Sequence, residues 1–474
     1  MRYLEILLLA LSALWFLLPG FTSIRGWRQG LGFLVAVSVP WQLALEGYRW
    51  QMVPGYVLAV LIGIYTWWDF IGPPAELRPE IPGRRIGRAL AGLVGVVALA
   101  LPIVLPVPRL PTPGGSFAVG TFSLHLVDDA REETYGPNPG GPRELMVQFF
   151  YPAEPGQDAE TGPWIEDLDA VGVQLAKYVE VPSFAFDHLG LTDTHTYPDA
   201  PVSEASASYP VVIYSHGWRG FRTVNFNQAE ALASEGYVVV TIDHTYASTM
   251  TVFPGGREVA VDPNALPDED VVGPKRFLEA GRRLNEVMTA DLDFVVDELA
   301  EINRGSRSTT LAQRLDMDRV GLFGHSAGGG AVVSFCATDR RCKAGIGFDP
   351  WVEPVDPVVI ARGLQVPFGF VRSEQWTHHD NEPPLRRLFD NGGPDQYWHA
   401  ISGTEHRDFV FVPLLSPVGG LLGIQGSIDS GRLVDLLDNH LAGFFGQYLM
   451  GEDTGFPDST VLEFEELIAA PASP

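Results

Sequence analysis

Hydrophobic positions along the chain fall into two regimes. Residues 4–21, 31–45, 53–71 and 86–107 are almost continuously apolar, and arginines, prolines or glycines bound each run. A helix of about 20 apolar residues spans the hydrocarbon core of a bilayer. The pattern therefore predicts four membrane helices within residues 1–107, with Glu5 close to one end of the first. Run 31–45 is short for a span, but Trp27, Trp41, Tyr48 and Trp50 flank it and would extend it into the interfaces. The first run, behind Arg2, has the form of a signal peptide; it lacks an A-x-A site, and more spans follow it.

Beyond a Pro/Gly-rich stretch at 108–115 the periodicity changes. Residues 117–127 and 145–151 predict two antiparallel strands. Short apolar runs at 210–214, 237–242, 319–323, 344–348 and 396–401 then alternate with helical patterns at 225–234, 276–302 and 433–449. This alternation predicts one α/β domain over 116–450, a mostly parallel sheet with helices on both faces. An insertion around 154–200 interrupts it with an amphipathic stretch at 170–179, then Phe184, Phe186 and Leu189. These three are candidates for an apolar cap wall that binds substrate. The tail, 451–474, is acidic and Pro-ended, and is expected to be loosely attached.

The chemistry centres on Gly324-His325-Ser326-Ala327-Gly328, between an apolar strand and a run of small residues suited to a helix. Strand, sharp turn and helix are the setting of a nucleophile elbow, which makes Ser326 the candidate nucleophile and the fold an α/β-hydrolase fold. The same residues would also suit a glycine-rich turn whose serine merely caps a helix. A nucleophilic serine needs a base and an orienting acid, in the chain order Ser, acid, His for this fold. Asp349 ends the next predicted strand and fits the acid; Asp243 also ends a strand but precedes Ser326. Of the later histidines, His406 lies in a loop after the last strand and is the favoured base, with His379 second. His440 falls in an amphipathic pattern that predicts a helix surface. The backbone amides of Ala327 and Trp218, the latter in the loop Ser215-His216-Gly217-Trp218, are the candidate oxyanion donors.

The net charge of −26 falls outside the apolar runs, which argues against nucleic acid or anionic lipid as a polyanionic partner. Near the spans, six arginines (25, 28, 78, 84, 85 and 88) lie in the first and third connecting loops, against Arg2, Arg49 and Arg109 elsewhere. Positive-inside asymmetry then puts the α/β domain outside the cytoplasm. There Cys336 and Cys342, the only cysteines, would form a disulfide. Two cysteines without histidine at ligand spacing do not make a zinc site, and no metal or organic cofactor is expected.

Several motifs occur together in one order: Ser215-His-Gly-Trp-Arg-Gly-Phe-Arg222, Gly324-His-Ser-Ala-Gly-Gly329, Gly347-Phe-Asp-Pro-Trp351, Phe370-Val-Arg-Ser-Glu374 and Gly403-Thr-Glu-His406. With flanking stretches from Phe117 onward, the set resembles the plasma-type platelet-activating factor acetylhydrolases and their bacterial relatives. The resemblance covers roughly residues 115–448 and departs at the N-terminal apolar region. It implies Ser326, Asp349 and His406 as nucleophile, acid and base, with Trp218 and Ala327 as oxyanion donors. It further implies calcium-independent hydrolysis of short or oxidatively truncated acyl esters of phospholipids. The expected partners are such a substrate and, through the N-terminal helices, a bilayer. A general carboxylesterase, polyesterase or acyltransferase would use the same site, and a non-catalytic membrane receptor or scaffold would not need it intact. Nothing in the sequence fixes the oligomeric state.

Overall fold

The computed structural model describes residues 2–17, 25–72, 84–137, 139–376 and 380–469. Contacts divide the chain into two compact units. One comprises Met1–Pro108, Phe184–Leu191 and Leu415–Gly419; the other comprises Arg109–Ser183, Thr192–Leu414 and Gly420–Pro474.

The first unit is built on helices α1 (Tyr3–Leu17), α2 (Arg25–Glu46), α3 (Val53–Ile71) and α4 (Arg84–Val104). Its core holds Leu8, Val35, Leu58, Ile62 and Ala98. Glu5, a carboxylate inside an apolar bundle, is neutralised there: both its oxygens accept from the fully buried Arg49 at 2.7 Å, and Arg2 adds a second ion pair. Isolated burial of either charge would cost several kcal/mol, so the pair is the condition for Glu5 lying inside. Among the described residues one helical stretch, Trp50–Ile71, is long and apolar enough to cross a membrane. α1 and the 89–104 part of α4 are apolar but shorter. The arginine-bearing connection at 73–83 lies outside the described residues. Segment Phe184–Leu191, a 3-10 turn region, belongs to this unit: Phe184 packs edge-on to Trp50 at 5.4 Å, and Trp50 Nε1 donates to Ala185 O at 3.2 Å. Leu189 is buried, Phe186 half-buried and Phe184 exposed.

The second unit is an α/β fold on a ten-stranded sheet. Its strands are β1 (Ala118–Glu132), β2 (Pro142–Ala153), β3 (Thr196–Pro198), β4 (Tyr209–Ser215), β5 (Val238–Asp243), β6 (Met250–Phe253), β7 (Arg257–Ala260), β8 (Leu315–His325), β9 (Cys342–Phe348), β10 (Phe368–Ser373), β11 (Gln396–Ile401) and β12 (Leu467–Ala469). The order is β12-β11-β10-β9-β8-β4-β5-β2-β1-β3, with β6 and β7 forming a separate hairpin. Strands β5, β4, β8, β9, β10 and β11 run parallel, while β2 and β12 join them antiparallel. Central strands read as unbroken Val/Ile/Phe runs because both faces are covered. On β8, Val320 and Leu322 join the core of Leu284, Met288 and Leu292 on helix Pro274–Asn303. A Cβ on the intervening Gly321 would fall 2.7 Å from Leu449 and Phe445, so that glycine admits helix Ser430–Phe445 and the turn after it to the opposite face.

Three expectations change. β3, the β6–β7 hairpin and β12 carry no long apolar signature and appear only in the fold. Over its described residues, 451–469, the tail is packed rather than loose: after helix Asp458–Glu463, β12 pairs with β11 and covers the sheet edge. For the same reason His440 is buried rather than on a helix surface, packed against His399 at 5.3 Å and Phe456 at 5.0 Å.

Candidate active site

β8 ends at His325, paired in register with Phe348 of β9, so Ser326 and Asp349 each stand one residue beyond adjacent parallel strands. Both have left-handed backbones, φ 55° for Ser326 and 42° for Asp349. Such conformations cost about 1–3 kcal/mol each for a non-glycine residue and persist only where surrounding bonds impose them. Here the two turns impose them on each other: Ser326 N donates to Phe348 O and Trp351 N to Ser326 O, both at 2.9 Å. The elbow is also crowded. A Cβ on Gly328 would lie 2.2 Å from Ser215 O, and one on Gly324 would lie 2.7 Å from the Gly328 backbone. Helix Ala327–Thr338 starts directly after Ser326, so its first amides face the serine.

Asp349 is fully buried. Its Oδ1 accepts from Ser373 N at 2.8 Å; its Oδ2 accepts from Ser373 Oγ at 2.6 Å and lies 2.9 Å from His406 Nδ1. A carboxylate in that contact keeps the imidazole proton on Nδ1 and leaves Nε2 free as a base. His406 opens a 3-10 turn, His406–Phe409, fixed by a reciprocal capping box between Glu405 and Asp408. Its ring stacks on Trp376 at 4.6 Å and lies 4.5 Å from the ring of His325, beside Ser326. His325 Nε2 also donates to His406 O at 3.0 Å, and burial holds its imidazole well below the ordinary histidine range, hence neutral. The three sequence candidates are thus brought together at the C-terminal edge of the parallel strands.

The loop after β4 closes on the elbow. A Cβ on Gly217 would lie 3.0 Å from Ser326 Cβ, so any larger residue there would press on the elbow. In that loop Arg219 N bonds Ala247 O and Gly220 N bonds Gly217 O, both at 2.9 Å. Among the described residues Trp218 N makes none of these loop bonds. Asp243 is committed elsewhere: it accepts from Arg222 N at 2.6 Å and from the Arg222 guanidinium at 2.7 Å. His379 lies outside the described residues. Cys336, on the elbow helix, and Cys342, which opens β9, are joined in a disulfide. No cluster of His, Cys, Asp and Glu able to hold a metal ion occurs among the described residues. Sequence reasoning missed Ser373, Trp376 and the contact of His325 with His406. Ser373 lies within a motif quoted above, but nothing local marks it as the acid's anchor.

The profile of the family described as platelet-activating factor acetylhydrolase, isoform II, matches residues 105–264 and 269–456. A platelet-activating factor acetylhydrolase of Canis lupus familiaris is 24% identical over 415 residues, covering 81% of this chain and 84% of the relative. A probable 1-alkyl-2-acetylglycerophosphocholine esterase of Arthroderma benhamiae is 23% identical over 406 residues, covering 76% and 93%. Among solved structures, a ferulic acid esterase from Streptomyces cinnamoneus superposes with a TM-score of 0.61 at 24% identity, over 77% of this chain and 100% of the esterase.

Proposed function

The chain belongs to the platelet-activating factor acetylhydrolase isoform II family, and from that premise we propose that it is a serine esterase acting on short or truncated acyl esters of phospholipid-like alcohols. The observation that carries the reading is the 2.9 Å contact of His406 Nδ1 with the buried Asp349, set against the strained elbow at Ser326. In the proposed cycle His406 Nε2 takes the Ser326 hydroxyl proton as Oγ attacks the ester carbonyl. The Trp218 and Ala327 amides donate hydrogen bonds to the oxyanion. His406 then returns the proton to the leaving alcohol, leaving an acyl-enzyme. Water, deprotonated by His406, attacks that acyl group, and His406 passes the proton to Ser326 Oγ as the acid leaves. No step calls on calcium.

We further propose that the helical unit is a multi-pass membrane region with the catalytic unit on the extracytoplasmic side. Support comes from apolar side chains on its exterior, such as Leu34, Val60, Ile64, Trp67, Leu93 and Val96, all more than half exposed, and from charges that pair inside it. The Cys336–Cys342 bond suits an oxidising compartment. Phe184, exposed beside Trp50, is the side chain proposed to meet a lipid chain, together with Phe186 and Leu189 of the same turn region. The test is the full-length protein in detergent, given a fluorophosphonate probe and then a substrate panel. The expected result is labelling that Ser326→Ala abolishes, with acetyl to butyryl and truncated phospholipid esters cleaved faster than long-chain phospholipid. Unchanged labelling of Ser326→Ala overturns the site, and preference for long-chain phospholipid overturns the substrate class.

A further inference from the structure

A second Ser–His–Asp chain lies beneath the first. Ser215 Oγ is 2.9 Å from His244 Nε2, and His244 Nδ1 is 2.9 Å from Asp291 Oδ2. All three residues have zero exposure, so no ester reaches them. Their arrangement instead fixes protons. Burial alone would raise the Asp291 carboxyl, but the Arg143 guanidinium, at 2.7 and 3.1 Å, and the His244 contact overcome it and hold that carboxyl well below its usual range. An ionised Asp291 keeps the His244 proton on Nδ1, so His244 Nε2 accepts from the Ser215 hydroxyl.

The chain continues into the loop that closes on Ser326. His244 N donates to His216 Nε2 at 3.2 Å, and Ser248 Oγ lies 2.8 Å from the same nitrogen. An accepting Nε2 leaves the His216 proton on Nδ1, which lies 2.7 Å from Gly217 O. Burial keeps this imidazole neutral, its pKa pushed down to about 3. Gly217 O also accepts Gly220 N at 2.9 Å, so two donors hold one carbonyl. That carbonyl shares a planar trans peptide with the Trp218 amide, and in such a unit C=O and N–H point in opposite directions. Fixing the oxygen therefore aims the hydrogen.

We propose that His216 is a positioning residue of the oxyanion site: held by His244 and Ser248, it pins Gly217 O and so directs the Trp218 N–H toward the reacting carbonyl. The inference rests on Trp218 being an oxyanion donor, as read above. It assigns His216 no contact with substrate.

The experiment uses the full-length protein in detergent, with a soluble short-chain ester as the probe. His216→Ala should lower kcat about 10²- to 10³-fold, the loss typical of one oxyanion donor, with KM changed less than about threefold. His216→Asn, whose amide can donate from the Nδ1 position, should stay within about tenfold of wild type in kcat. A purely structural role would not separate alanine from asparagine in this way. Should His216→Ala fail to fold, Ser248→Ala carries the test. It removes one hydrogen bond at little change in volume, and kcat should fall about three- to tenfold with KM unchanged. The proposal is overturned if His216→Ala keeps kcat within about threefold, if alanine and asparagine are equally impaired, or if Ser248→Ala leaves kcat unaltered. Ser326→Ala is run alongside: its retained activity would reject the site itself, whereas an inactive Ser326→Ala with an unimpaired His216→Ala rejects only the positioning role.

Discussion

Ser326 and Asp349 owe their positions to backbone bonds made across two turns, and substitutions there separate chemistry from stability. Ser326→Ala keeps every such bond, so the fold should persist while kcat drops by roughly 10⁴- to 10⁶-fold in a steady-state ester assay. Asp349→Asn should cost about 10⁴-fold, because an amide opposite His406 Nδ1 favours the wrong tautomer. Asp243→Asn should behave oppositely. Its partner is Arg222, so the purified, folded variant should retain most activity, but it loses up to about 3 kcal/mol of stability, read as a lower midpoint in denaturant. Ser326, Asp349 and His406 were legible as candidates because each follows a strand-like run and stands in a distinctive short motif. Ser373 and Trp376 were not, since their contacts join residues 24 apart, as in Asp349–Ser373, or a ring to a ring across two loops. Spacing along a sequence carries no trace of such pairings.

Among the elements, the seam between β11 and helix Ser430–Phe445 has its own pH dependence. His399 on β11 and His440 on the helix are buried, and burial pushes His399 down to about 4 and His440 well below the usual value of 6.5. Both therefore fold neutral. Their contribution is fully present above about pH 6.5, where the unfolded chain is also neutral. It is lost as pH falls toward 4, since the unfolded state takes up protons first. The thermal midpoint should fall over that window, and His440→Leu should flatten the fall; an unchanged slope would reject the assignment. This seam was also where pattern reasoning failed. Leucines at helical spacing signalled an amphipathic helix correctly. The far face was misjudged because Phe456 and His399, which pack on His440, lie in no apolar run that announces the contact.

For the molecule as a whole, the proposed topology makes two measurements agree. Reporter fusions after residue 111 should be active on the extracytoplasmic side, and Cys336 and Cys342 should resist alkylation until reductant is added. A cytoplasmic catalytic unit with free native thiols would reject the arrangement. A further expectation concerns Phe184–Leu191, which folds with the helical unit although sequence places it within the catalytic one. A fragment beginning at Arg109 should be cleaved by protease within 184–191 much faster than the full chain; equal rates would show that the segment is held without the helices. The α/β alternation was readable along the chain. The return of 184–191 and 415–419 to the first unit was not: Phe184, Phe186 and Leu189 signalled apolar packing, but nothing local names the helices they pack with.

That return bears on how such a protein can be taken apart or recombined. The chain passes between its units after Pro108, Ser183, Leu191, Leu414 and Gly419, so no single interval of sequence contains either one. A cassette cut at the proline-rich linker would carry two orphaned loops, and an anchor transplanted from another protein would arrive without them. Replacing the helical unit that this catalytic unit carries is therefore a three-site graft, in which both excursions must be shortened or repacked along with the linker.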